Sequence, residues 1–266
     1  MKLRLNLRAY LAAVWLVLGA GTLAGASGTG HFYFVQITDT HWGARDGLAL
    51  TRRIVEAVND LPMPIAFVVH TGDITADCIT KDEVVEEGLA IMRRLKMPVH
   101  YLPGNHDILK QRARATAARY QKLFGPLSTR AEYHGVVCLF YYAEPLVGGF
   151  RVPDYDPCAW LQEQLESAGA QPVLLFLHCP PVEDFVKSRT YPGWPARERE
   201  QFVALLGRYR GIKAVVAGHF HRDELHWLGN IPLYVSSSVA RFWERQPSFR
   251  LFEYRDGRLG YWTIYL

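Results

Sequence analysis

Five apolar runs in this chain stop in the same manner, and that repetition narrows what it can fold into. Val99-His-Tyr-Leu102 breaks at Pro103-Gly104 and at once presents Asn105, His106 and Asp107. His31 to Thr38, Ile65 to Val69, Val173 to Leu177 and Lys213 to Ala217 stop in turn at Asp39-x-His41, Gly72-Asp73, His178 and Gly218-His219-x-His221. Runs of this length and β-branched content read as buried strands. Polar side chains delivered at the carboxyl ends of strands stand where open α/β sheets keep their ligand sites.

Between these runs the period changes. Leu50, Ile54, Val55, Val58 and Leu61 recur at helical spacing before Pro62 and Pro64. Thr80 with Glu83 reads as a capping box for a helix burying Val85, Leu89 and Met92. The first hundred residues therefore alternate strand and helix, which predicts parallel pairing through helical crossovers. Gln111 to Phe124 predicts a further helix, Val136 to Tyr142 a strand, and Asp156-Pro157 an N-cap and first turn for a helix burying Trp160, Leu161 and Leu165. A helix burying Phe202, Leu205, Leu206 and Tyr209 precedes the Lys213 strand. The tail holds Leu225–Leu228, Ile231–Val235, Phe249–Tyr254 and Tyr261–Tyr265, with turn signals at Gly229-Asn230 and Asp256-Gly257, and these predict hairpins. The fold class is a mixed α/β sandwich, parallel in its first half and partly antiparallel in its second. No linker or repeat divides residues 27–266, which read as one domain.

Residues 1–26 stand apart. A basic head (Lys2, Arg4, Arg8), an apolar run from Tyr10 to Leu23 and the small-residue site Ala24-Gly25-Ala26 have the grammar of a secretory signal peptide, or of an uncleaved anchor through residues 10–23. Export to the periplasm or the extracellular space is expected, with membrane contact only if the leader is retained. Removing it leaves 27 basic against 26 acidic residues, so bulk charge gives no reason to expect nucleic-acid binding. The four cysteines, Cys78, Cys138, Cys158 and Cys179, match no disulfide framework, and at most one bridge is expected.

The strand-end residues share one chemistry. Asp39, His41, Asp73, Asn105, His178, His219 and His221 are all hard or borderline metal ligands. Two carboxylates, an amide and four imidazoles suit two divalent ions about 3.5–4 Å apart, which need a shared carboxylate to offset their repulsion. Water held between such ions ionises near neutral pH, and phosphoryl transfer gains most from the clamp. Glycine before Asp73, Asn105 and His219 lets the backbone come close.

Those five blocks, in order over residues 31–221, resemble the calcineurin-like metallophosphoesterase superfamily. The resemblance implies a four-layer α-β-β-α sandwich of two mixed sheets and a dinuclear metal-dependent phosphoesterase using a metal-bridging hydroxide. It implies that Asp39, His41 and His221 hold one divalent metal, that Asn105, His178 and His219 hold the other, and that Asp73 bridges. The metals would be manganese, iron or zinc, with identity left open. His106, oriented by Asp107, would protonate the leaving alkoxide, and Asn105 and His106 would contact a small phosphoester substrate. Phe34-Val-Gln-Ile-Thr-Asp-Thr-His41, Leu177-His-Cys-Pro-Pro181 and Tyr234-Val-Ser-Ser-Ser238 are similar to the branch holding cyclic-nucleotide phosphodiesterases and small protein phosphatases.

Two other readings stay open at this point. His219-x-His221-x-Asp223 suggests a metallo-β-lactamase-type hydrolase, although it falls late in the chain and Glu224 stands where a further His belongs. A metal-binding module without turnover is the second. Segments 143–157 and 180–197 are expected to rim the site. Tyr191 and Trp194 are candidates to stack a base or sugar, and Arg189, Arg241 or Arg245 to hold a second phosphate. His31, His70, His100, His134 and His226 match no block and read as structural.

Overall fold

A computed structural model describes residues 30–183, 193–242 and 245–266. The leader expected at residues 1–26, and with it Arg189 and Tyr191, lie outside the described residues. Among the described residues no helix is long and apolar enough to cross a membrane.

Two sheets stack face to face. The first has the order β11-β10-β1-β2-β3, built from β1 (His31–Ile37), β2 (Ile65–Thr71), β3 (Val99–Leu102), β10 (Ser248–Arg255) and β11 (Arg258–Tyr265). The second has the order β4-β5-β6-β7-β9-β8, from β4 (Thr129–Tyr133), β5 (Val136–Phe140), β6 (Val173–Phe176), β7 (Ile212–Ala217), β8 (Glu224–Leu228) and β9 (Ile231–Val235). The strands β1, β2 and β3 run parallel, as do β5, β6, β7 and β9. Both tail hairpins form, closing at Leu228↔Ile231 and Arg255↔Arg258.

Side-chain alternation explains the layering. Phe32 and Phe34 of β1 point between the sheets and meet Phe67, Phe140, Phe176 and Phe252 in one aromatic core. Phe34 stacks on Phe67 and Phe252 with ring centroids 5.0 and 4.9 Å apart. Val35 and Ile37, one residue out of phase, bury against α1 (Gly47–Asn59), α2 (Asp82–Met92) and α3 (Ala113–Phe124). On the far side Val137, Leu139 and Val215 bury against α5 (Pro157–Ala168) and α6 (Ala196–Leu206). The layers are therefore helix, sheet, sheet, helix, the α-β-β-α sandwich expected.

Local departures have local causes. Thr80 makes no capping box: the helix begins after Lys81 with no side-chain cap, and Asp82 and Glu83 favour its positive end instead. Asp156 does cap α5, accepting from the amides of Cys158 and Ala159 at 2.9 and 3.1 Å. The four cysteines are free; Cys78, Cys138 and Cys179 are buried and Cys158 is exposed, so no bridge forms among them. The short helix α4 (Glu144–Gly148) and the edge strand β4 were not foreseen. Thr129-Arg-Ala-Glu-Tyr133 is too polar to announce a strand by pattern, and it pairs along one edge only.

Candidate metal centre

The turns that follow β1, β2, β3, β6 and β7 meet at one edge of the sandwich. Backbone bonds lace them together: Asp39 N donates to Gly72 O and His41 N to Asp73 O, both at 3.0 Å, and Gly218 N donates to His178 O at 3.0 Å. Two glycines are required by contact. A Cβ on Gly104 would run into the carboxylate and amide of Asp73, and one on Gly218 into Thr38 Oγ1. Asp39, His41, Asp73, His219 and His221 all carry positive φ, between 44° and 70°. That left-handed region costs a non-glycine residue energy, and Asp and His tolerate it better than most. Such clustering is typical of functional turns held by their surroundings.

Three groups of ligand atoms result among the described residues, each within 4.8 Å internally: Asp39 with His41 and His221, Asp73 with His178 and His219, and, linking these two, His41 with Asp73 and His106. In the first, His221 Nε2 is 3.0 Å from Asp39 Oδ1 and 3.4 Å from His41 Nε2. In the second, His178 Nε2 is 3.1 Å from Asp73 Oδ2 and 3.2 Å from both His219 Nδ1 and Asn105 Oδ1. Asp73 stands between them. Its Oδ1 accepts His106 N at 2.9 Å, while Oδ2 faces His178 and lies 3.9 Å from His41 Nε2. All seven residues expected as ligands thus converge, six buried and Asn105 exposed at the mouth.

The donor set suits cations. Burial alone would raise the carboxyls of Asp39 and Asp73, yet the imidazole neighbours His221 and His178 hold both well below the ordinary carboxylate range. Burial likewise opposes a charge on His178, but Asp73 prevails and lifts it to about 10. Burial lowers His41 to about 4 and His219 to about 3, leaving their rings neutral with lone pairs to give. Two buried carboxylates thus face the centre with imidazole rings around them, a donor set that favours added positive charge. His178 Nδ1 points at Thr71 O at 2.8 Å, which fixes the tautomer that turns Nε2 toward the centre.

One expected role changes. Asp107 does not orient His106: its carboxylate accepts the amides of Gly104, Ile74 and Thr75 and the Thr75 hydroxyl, at 2.8 to 3.0 Å, and so ties the Asn105 turn to the Asp73 turn. Asp77 takes that place, with Oδ1 2.9 Å from His106 Nδ1, while His106 Nε2 lies 4.0 Å from Asp73 Oδ2. The sequence signal for Asp77 was its position four residues beyond Asp73 in the same turn. Phe242, also unforeseen, sets its ring 4.9 Å from those of both His41 and His221 and covers one side of the cluster.

Other expectations sort by geometry. Trp194 is core rather than a stacking platform: it is buried, its Nε1 donates to Cys179 O at 2.9 Å, and it packs on Phe202. Arg245 donates to His221 O at 2.8 Å, and Arg241 is exposed. Asp223 leaves the cluster for Ser237 N, Arg250 and Tyr265, so the His219-x-His221-x-Asp223 run is not a ligand triple. The unmatched histidines have local roles. His31 pairs with Glu253, His70 with Thr40, His100 with Tyr133 and His226 with Glu224, and His134 stacks on Phe32.

Comparison with known proteins follows the same pattern. The profile of the family described as calcineurin-like phosphoesterase matches residues 32–223. The chain is 26% identical over 238 residues to the serine/threonine-protein phosphatase CPPED1 of Mus musculus, covering 79% of this chain and 76% of the relative. It is 25% identical over 251 residues to a 3',5'-cyclic-nucleotide phosphodiesterase of Nostoc sp., covering 86% and 89%. In fold it is similar to a dimetal phosphatase from Danio rerio, with a TM-score of 0.64 and 15% identity over 89% of this chain and 99% of that one.

Proposed function

The chain belongs to the calcineurin-like phosphoesterase family, and on that footing we propose that it hydrolyses phosphoesters at a pair of divalent metal ions. The observation that carries this is the position of Asp73: one buried carboxylate oxygen lies 3.1 Å from His178 Nε2 in one ligand group and 3.9 Å from His41 Nε2 in the other. Asp39, His41 and His221 would hold one ion, and Asn105, His178 and His219 the other. When bound, the ions supply Lewis acidity toward phosphoryl oxygens and a water nucleophile near neutral pH. The protein supplies the rest.

His106 is placed to deliver a proton. Its Nε2 faces the centre, its Nδ1 is held by Asp77, and its side chain is two-fifths exposed, open to substrate. Burial disfavours its charge, but Asp73 and Asp77 outweigh that and raise its pKa, so it stands ready as the acid for a departing alkoxide. Asn105, exposed at the mouth, is within reach of a phosphoryl oxygen. The names of the relatives support both monoester and diester substrates.

The test is hydrolysis of p-nitrophenyl phosphate and of its bis ester. Chelator should abolish turnover, and manganese, zinc or iron should restore it. Metal binding with no turnover on either ester under any of these ions would instead favour a binding module. For location, we propose that residues 1–26 export the protein, a reading supported by their charged head and apolar run. Mass determination of the chain recovered from soluble and membrane fractions separates cleavage from anchoring.

A further inference from the structure

We propose that the ion pair of buried Arg250 with Asp223 is a positioning device for the turn that carries His219 and His221, and that it sets the metal affinity of the site His221 serves. The proposal rests on the dinuclear reading above.

Arg250 lies on β10 among residues that point between the sheets, where its neighbours Phe252 and Tyr254 are core. Its side chain is wholly buried. One guanidinium nitrogen is 3.2 Å from Asp223 Oδ1, and the group sits 4.3 Å from the centre of the Tyr261 ring. Among the described residues its Nε and Nη1 find no hydrogen-bond acceptor. An apolar side chain of similar volume would be the cheaper occupant on stability grounds. What the charge does here is hold Asp223.

Asp223 stands two residues beyond His221. Its Oδ1 also accepts Ser237 N at 2.9 Å, and its Oδ2 accepts the Tyr265 hydroxyl at 3.2 Å. Ser237 in turn donates through Oγ to His221 O at 3.3 Å. The carboxylate thus gathers β10, β11 and the segment after β9, tying both sheets to one turn. That turn needs tying: His219 and His221 have φ of 70° and 52°, a conformation that non-glycine residues keep only when their surroundings impose it. With the turn fixed, His221 Nε2 is held 3.0 Å from Asp39 Oδ1, in the first ligand group. The second group draws only His219 from this turn, while His178 and Asp73 come from turns for which no contact with Arg250 is found among the described residues.

The experiment is calorimetric titration of chelator-stripped protein with manganese or cobalt, alongside thermal unfolding of the same samples. Arg250→Met should weaken the site His221 serves by roughly 10–100-fold, the effect usual for residues that orient ligands, and the His178 site, which shares the turn only through His219, by clearly less. Arg250→Lys, which keeps the charge and loses the fork, should recover part of the loss. In a His221→Ala background the Arg250 substitution should change nothing further at the site His221 served. Two sites of wild-type affinity in folded Arg250→Met, or equal weakening of both, would overturn the proposal. If that variant does not fold, Asp223→Asn, at a partly exposed position, is judged by the same criteria. Wild-type protein that binds no divalent ion would overturn the dinuclear reading instead.

Discussion

His106 Nδ1 lies 2.9 Å from Asp77 Oδ1, and both belong to turns that β2 and β3 deliver to the same edge. A carboxylate there keeps the ring oriented with Nε2 inward and stabilises its protonated form. Asp77→Asn should therefore lower turnover about tenfold or more while both ions remain bound. His106→Ala should cost about 10²–10⁴-fold. An ester with an alkyl leaving group should suffer more than the p-nitrophenyl ester, whose anion departs without a proton. Equal losses on both substrates would argue against the acid role.

Asp73 and His41 are expected to differ in kind. Asp73→Asn removes the carboxylate that stands between His178 and His41 and should weaken both ions, whereas His41→Ala removes a ligand expected at one ion alone. Elemental analysis after dialysis against limiting manganese should find clearly less than one ion per chain in the former and close to one in the latter.

Gly104→Ala should be far more damaging than its one added methyl suggests. That methyl would press on the Asp73 carboxylate and amide at the centre of the cluster. The expected result is lost metal binding and a lower melting temperature. Gly260→Ala, where the added methyl meets no atom within 4 Å, should leave metal binding intact.

Phe34 is fully buried between stacked Phe67 and Phe252. Phe34→Ala should destabilise the fold by about 3–5 kcal/mol, measured by denaturant unfolding.

Two histidines away from the ligand set predict an acid limb to stability. Burial lowers His70 to about 3 and His100 to about 4, against an ordinary value of 6.5. The unfolded chain takes up these protons first, so stability is full above pH ~6.5 and is lost as pH falls from there through about 4 and then about 3. Melting temperature followed against pH should fall over that window, and less steeply in His100→Gln.

Much of the site was readable because each ligand turn is a short contiguous motif at the end of an apolar strand. Asp39-x-His41 and Gly218-His219-x-His221 need no knowledge of what pairs with what. Asp77 and the true work of Asp107 were not readable, because the difference between them depends on how two turns face each other across 30 residues. In the fold, the hairpin β10–β11 was visible from its turn residues, but its departure to the opposite sheet was not. Pairing of β10 with β1 is fixed by the aromatic faces of both strands, a long-range match that local pattern does not encode. Trp194 misled because an aromatic in a Gly-Pro-rich stretch reads as exposed until its indole finds a buried carbonyl.

The pairing of His31 with Arg255 spans nearly the entire chain. Until the last strands have been synthesised, β1 has an open side and half of its aromatic face lies bare. An unfinished or truncated chain is therefore a sticky one, prone to capture by any free strand edge. Deleting the final hairpin would be felt as aggregation long before it could be assayed as lost activity.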